Sequence, residues 1–393
     1  MAPILSYCTN VHPAEGLGEL LALVEGPLAR VRSAWRGDAP MGAGLWLTAA
    51  TARVLAQDPA ACDRLRAALE AAGLFAFSVN AFPAGSFHAP RVKEAVYRPT
   101  WAEPERLRYT LDAATALARL LPPGAEGSLS TVPVGYSGFG MGEDALEAAA
   151  ANRRRAAEEL ERLSVESGRS LRLGLEPEPL AVLETVAEAV RFLRDRVYRG
   201  LGRGEAVARA RVGLCVDACH LACVFEDLEA ALARAAAAGV PVVKGQLSSA
   251  LELPRPAENP AGCARLRAFA EPRYLHQCCA LVGDPPRRIA ANDLDDLFAG
   301  EALHPAFETA ARVRSHVHVP LCWEGDDSLR PTRGERDAEL LARATPHLEV
   351  ETYTWGVLPS TVRSASGGRL EEAIVAELRW AEERLRRVGR APG

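Results

Sequence analysis

VGLCVDACH, residues 212–220, holds five small, branched or apolar residues up to a single terminal carboxylate, Asp217, with an imidazole, His220, three positions on. A run of this length without a polar residue until its last position reads as a strand buried on both faces. The same design stands on either side of it. LRLGLE (171–176) precedes it and ends in Glu176; PVVKGQL (241–247) follows it. Continuing outward gives ILSYCT (4–9), GLWLTA (44–49), FAFSVN (75–80), LSTVPV (129–134) and LEVETYTW (348–355), eight runs in all. Between them lie Ala/Leu/Arg/Glu stretches of helical period, such as 16–33, 50–72, 103–120, 144–168, 183–198 and 228–239, with a closing helix over 370–388. Gly73, Gly168 and Gly239 each fall where a helix needs a left-handed cap before the next strand. Eight strands joined by crossover helices predict an α/β fold, a (β/α)₈ TIM barrel, over 1–393 as one domain.

One interval breaks the rhythm. Between the seventh and eighth runs, residues 252–345 contain two further β-like runs, YLHQCCALV (274–282) and RVRSHVHVPL (312–321). They predict paired strands in a large insertion at the C-terminal face, where barrels carry their sites.

The formal net charge of -5 lacks the concentrated positive field that phosphate backbones require, which argues against a nucleic-acid partner. Hydrophobic residues make up 48% of the 393, enough for a large core, but no run approaches the 18 or more apolar residues of a membrane span. The first residues lack a basic segment followed by an apolar one, so the expected location is cytoplasmic. The nine cysteines include no CxxC pair; Cys215, Cys219 and Cys223 recur at fours and read as buried small hydrophobes, with a soft-metal cluster as the alternative.

In a parallel barrel all strand C-termini open on one mouth, so polar residues there are the first functional candidates. Glu176, Asp217 and Glu351 come from three different strands, with His220 close behind Asp217. Carboxylates on separate strands can converge on a hard or borderline divalent ion, Mn²⁺, Mg²⁺, Co²⁺ or Zn²⁺; pairing with arginines across the mouth is the competing reading. Earlier loops add His12, Asn80 and His88. Phe82, Phe87, Tyr97, Trp101, Trp323 and Trp355 are aromatics that either stack on a carbohydrate-like ring or simply pack.

The arrangement resembles the xylose isomerase-like (sugar phosphate isomerase/epimerase) barrels, and within them the EboE family of metabolite traffic proteins. The segments that carry the resemblance run nearly end to end: YCTNVHP (7–13), SVNAFPAGSFH (78–88), RVKEAVYRPTW (91–101), STVPVG (130–135), GLEPEP (174–179), VDACHLA (216–222), VKGQLSSAL (243–251), YLHQ (274–277), HVHVP (316–320) and VETYTWGVLP (350–359). The resemblance implies one divalent metal held by Glu176, Asp217 and Glu351, with His220 as a substrate contact. Gln246 falls where the superfamily places a fourth, histidine, ligand; an amide oxygen is a weaker one. His276, His316 and His318 of the insertion are the candidates to make good that loss. Glu176 and Glu351 are then the base and acid of an isomerase or epimerase acting on a small sugar- or cyclitol-like molecule, with proteins of the same pathway as possible partners. A dehydratase of the same substrates, a phosphodiester endonuclease and a non-catalytic metabolite-binding or scaffold barrel are the alternatives.

Overall fold

The computed structural model describes residues 2–200, 202, 204–300 and 302–393. Its strands, in chain order, are β1 (Ile4–Tyr7), β2 (Met41–Trp46), β3 (Leu74–Asn80), β4 (Glu126–Thr131), β5 (Ser170–Leu175), β6 (Val212–Asp217), β7 (Val242–Leu247), β8 (Leu251–Pro254), β9 (Cys278–Val282), β10 (Arg287–Ala291), β11 (Phe298–Ala299), β12 (Ala302–Leu303), β13 (Arg312–Ser315), β14 (Arg330–Pro331) and β15 (His347–Val350). Eight of them form one all-parallel sheet in the order β1-β15-β7-β6-β5-β4-β3-β2. The two ends meet through a parallel bridge between Cys8 and Gly44 and a 2.6 Å hydrogen bond from Ser6 Oγ to Gly42 O. The expected (β/α)₈ barrel is thus the observed fold.

Local chemistry accounts for where the elements begin and end. The expected helix over 50–72 is two helices, Ala49–Gln57 and Pro59–Ala71, because Pro59 interrupts the first and Asp58 caps the second, accepting from the Ala60 N–H at 3.0 Å. Gly73, Gly168 and Gly239 do adopt positive φ, of 69°, 66° and 64°. β2 starts three residues before the run that predicts it, and its Gly44 has no room for more: a Cβ there would sit 2.2 Å from Glu349 Oε1. β15 stops at Val350, short of the expected 355, and Tyr353–Val357 turns as a 3₁₀ helix instead.

The stretch between β7 and β15 builds its own five-stranded antiparallel sheet, ordered β10-β9-β13-β8-β14. The two runs singled out in the sequence pair directly, Val313 opposite Ala280 and Ser315 opposite Cys278. Leu251, Leu253, Val313, Val317 and Trp323 form the apolar side of this sheet, and Trp355 packs among them. Val319 N–H then bonds Ser249 O at 2.9 Å, which fixes the segment after β13 over the barrel mouth.

Glu377, on the helix Leu370–Arg387, ties the exit of this segment to the barrel. It accepts from the Leu321 N–H at 2.8 Å and from Thr352 Oγ1 at 2.7 Å. Burial pushes its carboxyl up to about 7, although both donors oppose the shift. A carboxyl raised on folding stabilises fully below its unfolded pKa and loses that contribution as pH rises through the folded one. Glu377→Gln carries no charge to bury. We expect it to unfold at a higher temperature than the parent at pH 8.5, by an amount corresponding to roughly 3 kcal/mol, and to show no gain at pH 4.5. Calorimetric scans at the two pH values check this; equal melting temperatures at pH 8.5 would remove the buried-charge account.

Candidate active site

Three barrel strands deliver three carboxylates to one place. Glu176 is the first residue beyond β5, Asp217 the last of β6, and Glu351 the first beyond β15. Asp217 also caps the helix Ala218–Cys223, its Oδ1 accepting from the His220 N–H at 2.9 Å and from Ser248 Oγ at 2.7 Å. Carboxylate oxygens of Glu176, Asp217 and Glu351 lie within 4.8 Å of one another. Asn10 Nδ2 donates to Glu351 Oε1 at 2.7 Å, and Gln246 Nε2 donates to Glu351 Oε2. Gln246 Oε1 meanwhile accepts from Cys215 Sγ at 3.0 Å. Gln246 thus turns its amide nitrogen to the Glu351 carboxylate, its oxygen being engaged by Cys215 below.

Such crowding is electrostatically costly. Burial first, then Glu351 and Asp217, hold the Glu176 carboxyl well above the ordinary range. Burial, with Asp217 and Glu349 adding and Lys244 and Asn10 opposing, pushes Glu351 up to about 8. Asp217 Oδ2 and Glu178 Oε2 are buried without a hydrogen-bond partner. Three converging carboxylates and an unsatisfied oxygen are what a divalent cation compensates, so the donor set fits an ion bound by Glu176, Asp217 and Glu351.

Beneath the mouth the barrel interior is polar. Lys244 and Glu349 are fully buried and pair at 2.7 Å; Lys244 Nζ also reaches Asn80 Oδ1 at 2.9 Å and Ser130 Oγ at 3.2 Å. Asn80 Nδ2 returns a 3.0 Å bond to Glu349 Oε2.

The cavity above the carboxylates is roofed by the inserted segment. Asn80, His220, His316 and His318 line it together with Glu176, Glu178 and Glu351. His220 Nδ1 faces Pro177 O at 3.0 Å, which leaves Nε2 with its lone pair, 4.0 Å from Asp217 Oδ1. The His220 and His316 rings meet edge to face, with centroids 4.6 Å apart. Of the aromatic candidates, Phe82, Phe87 and Tyr97 line the cavity, whereas Trp101, Trp323 and Trp355 are absent from its walls and are buried in the packing.

Four further candidates stand behind the walls rather than in them. His12 Nε2 lies 3.0 Å from the Tyr7 hydroxyl, and burial takes its imidazole down to about 4. His88 Nε2 bonds Asn10 O at 2.8 Å, bracing the residue that holds Glu351. His276 Nδ1 bonds His316 O at 3.0 Å, and its Nε2 is 3.1 Å from Glu271. Trp355 belongs to the apolar side of the inserted sheet.

Sequence reasoning passed over one network. Tyr97 hydroxyl donates to Glu178 Oε1 at 2.7 Å, and Gln277 Nε2 donates to the Tyr97 oxygen at 2.8 Å and to Pro179 O at 3.0 Å. Gln277 Oε1 then accepts from His316 Nδ1 at 2.7 Å. Tyr353 packs at a tilt against His318, with ring centroids 4.7 Å apart. The signal for Glu178 was its place two residues after Glu176; Gln277 and Tyr353 lie within the resembling segments 274–277 and 350–359, where nothing set them apart from their neighbours.

No family model and no curated protein sequence matches the chain. Solved structures match in fold. A xylose isomerase-like TIM barrel protein from Mycobacterium smegmatis, in complex with magnesium, is 10% identical, with 98% of each chain covered and a TM-score of 0.51. The IOLI protein with a bound zinc atom is 12% identical over 99% of this chain and 98% of that one, at a TM-score of 0.44. The 3-keto-D-glucoside 4-epimerase YcjR from E. coli is 14% identical over 62% of this chain and 77% of that one, at 0.39. At these identities the likeness is one of fold, that of the xylose isomerase-like barrels.

Proposed function

We propose that this chain is a divalent-metal-dependent isomerase or epimerase acting on a small polyhydroxylated molecule of sugar or cyclitol type. The observation that carries this reading is the convergence of Glu176 and Glu351 on Asp217, their carboxylate oxygens within 4.8 Å of one another, under an aromatic-walled cavity. Burial and mutual repulsion hold both carboxyls above the ordinary range, which suits one to act as base and the other as acid. Glu176, Asp217 and Glu351 would hold the ion, which supplies the Lewis acidity that makes a C–H beside a carbonyl removable. One carboxylate would take that proton, and the carboxyl so formed would return it to the neighbouring carbon, while the other, protonated from solvent, would serve the opposite face. Asn10 and Gln246 orient Glu351 by donating to both its oxygens. His220, its Nδ1 anchored on Pro177 O, presents Nε2 to a substrate oxygen. Phe82, Tyr97 and Tyr353 exclude water from the reacting centre.

The segments that resemble EboE proteins support a place in a biosynthetic or export-linked pathway, acting with its other proteins. No helix among the described residues is long and apolar enough to cross a membrane. A second reading, a metabolite-binding barrel without catalysis, draws on Gln246, which donates to Glu351 where the resemblance places an imidazole ligand. Hydrogen exchange separates the two. Aldoses, ketoses and inososes incubated with the Mn²⁺-loaded chain in deuterium oxide should lose the NMR signal of the proton next to the carbonyl. Glu176→Gln and Glu351→Gln should each slow that exchange about 10²–10⁴-fold. Binding of a sugar with no exchange would favour the non-catalytic reading, and unchanged exchange in both variants would sink the assignment of the pair.

A further inference from the structure

His316 and His318 follow β13 with one residue between them, and their Nε2 atoms stand 3.1 Å apart. Which protons the rings carry follows from their other nitrogens. His318 Nδ1 is 2.7 Å from the main-chain oxygen of Glu351, which can only accept. His316 Nδ1 is 2.7 Å from Gln277 Oε1, and that amide cannot be reversed, because its nitrogen donates to Pro179 O at 3.0 Å. Both Nδ1 atoms therefore carry hydrogen, and in neutral rings both Nε2 atoms carry lone pairs. Two lone pairs aimed at each other across 3.1 Å, in side chains almost wholly buried, require a positive charge between them. A shared proton is one candidate. Burial of both rings beside a third imidazole, His220, whose ring centroid is 4.6 Å from that of His316 and 5.5 Å from that of His318, works against that proton.

A metal ion is the other candidate, and the spacing suits it. Two imidazole nitrogens on one tetrahedral zinc lie about 3.3 Å apart. A third donor is in place. Cys219, fully buried in the short helix after β6, has its sulfur within 4.8 Å of a ring nitrogen of each histidine, and those nitrogens within 4.8 Å of each other.

We propose that Cys219, His316 and His318 form a second cation position, of thiolate and imidazole character, beside the carboxylate position of Glu176, Asp217 and Glu351. It goes beyond the function proposed above and does not require it. The two positions differ in donor chemistry: oxygen donors suit Mg²⁺ or Mn²⁺, whereas sulfur and nitrogen select Zn²⁺ or Co²⁺. Three protein donors leave a fourth position for a small ligand, as in catalytic zinc sites. Glu351 links the two, its side chain turned to the carboxylates and its carbonyl to His318. The inserted segment is what delivers both histidines. Binding Zn²⁺ here forms a metal–sulfur bond and releases one proton from Cys219 to solvent.

Cobalt substitution of the full chain is the test. The Co²⁺-loaded protein should show a thiolate-to-cobalt charge-transfer band in the near ultraviolet. Cys219→Ser should abolish the band; Cys223→Ser and Glu176→Gln should retain it. Retention in Glu176→Gln separates this position from the carboxylate one, whose failure would be read instead in Mn²⁺ binding. Should Cys219→Ser not fold, X-ray absorption of the unmodified chain with one equivalent of Zn²⁺ decides: one sulfur at about 2.3 Å with nitrogens at about 2.0 Å supports the site. An all-oxygen shell, no charge-transfer band in the unmodified protein, or a band that survives Cys219→Ser would overturn it.

Discussion

Lys244→Met is expected to destabilise the fold by about 3–5 kcal/mol, a large part of the stability of an ordinary domain, whereas Lys244→Met combined with Glu349→Met should recover most of that loss. Both side chains are fully buried, and Glu349 has no other cationic partner among the described residues: Oε2 takes Lys244 and Asn80, while Oε1 is buried without a donor. Burial works to lower the Lys244 ammonium, yet Glu349 and its neighbours hold it above the usual lysine range, so the ammonium is charged and its loss is electrostatic. Removing it strands a carboxylate in the barrel interior. Removing both leaves two unbranched apolar chains of similar length, with Gly44 still providing the space beside position 349. Urea unfolding of the single and double variants measures the difference. Equal midpoints for the two would mean that the pair is a packing element and not a charge pair.

That interior pair was partly legible in the sequence. Inward positions of a barrel strand recur every second residue. Ser78 and Asn80, Ser128 and Ser130, Lys244 and Gln246, and Glu349 and Glu351 are four such pairs, and together they mark an unusually polar barrel interior. The fold itself was legible because each barrel strand is a short apolar run closed by a turn signal, and β6 coincides with its run over 212–217. What failed was the extent of β15: LEVETYTW alternates as a strand does, but beyond Val350 the chain turns to seat Tyr353 on His318, a tertiary demand with no local signature.

The site divides along the same line. Glu176, Asp217 and Glu351 were readable because strand order alone puts strand ends at one mouth. His316 and His318 were readable only as alternates on one face; their arrival over the carboxylates depends on a sheet whose register no single run encodes. His12, His88, His276 and Trp355 carry the right chemistry but stand one layer back, where His88 and His276 position Asn10 and His316. Residue type identifies chemistry at a barrel mouth; it does not separate a wall from its support.

Because Glu176 and Glu351 are held above the ordinary range, a divalent ion must displace a proton to bind between them. Mn²⁺ affinity is therefore expected to rise about tenfold per pH unit from pH 6, some 100-fold in all, and to level near pH 8 where Glu351 ionises unaided. Mn²⁺ suits the carboxylate position and avoids the soft donors of Cys219. Without an ion the sign reverses: the raised carboxyls stabilise below about pH 4.5 and lose that contribution as pH rises toward 8. Stabilisation by the ion should thus be greatest where the ion-free chain is weakest. Calorimetric titration in two buffers of different ionisation enthalpy counts the released proton directly. Glu351→Gln should weaken binding and flatten the pH slope together; an unchanged slope would place the displaced proton elsewhere, and a flat parent profile above pH 6 would mean the three carboxylates are already ionised and paired by some other charge.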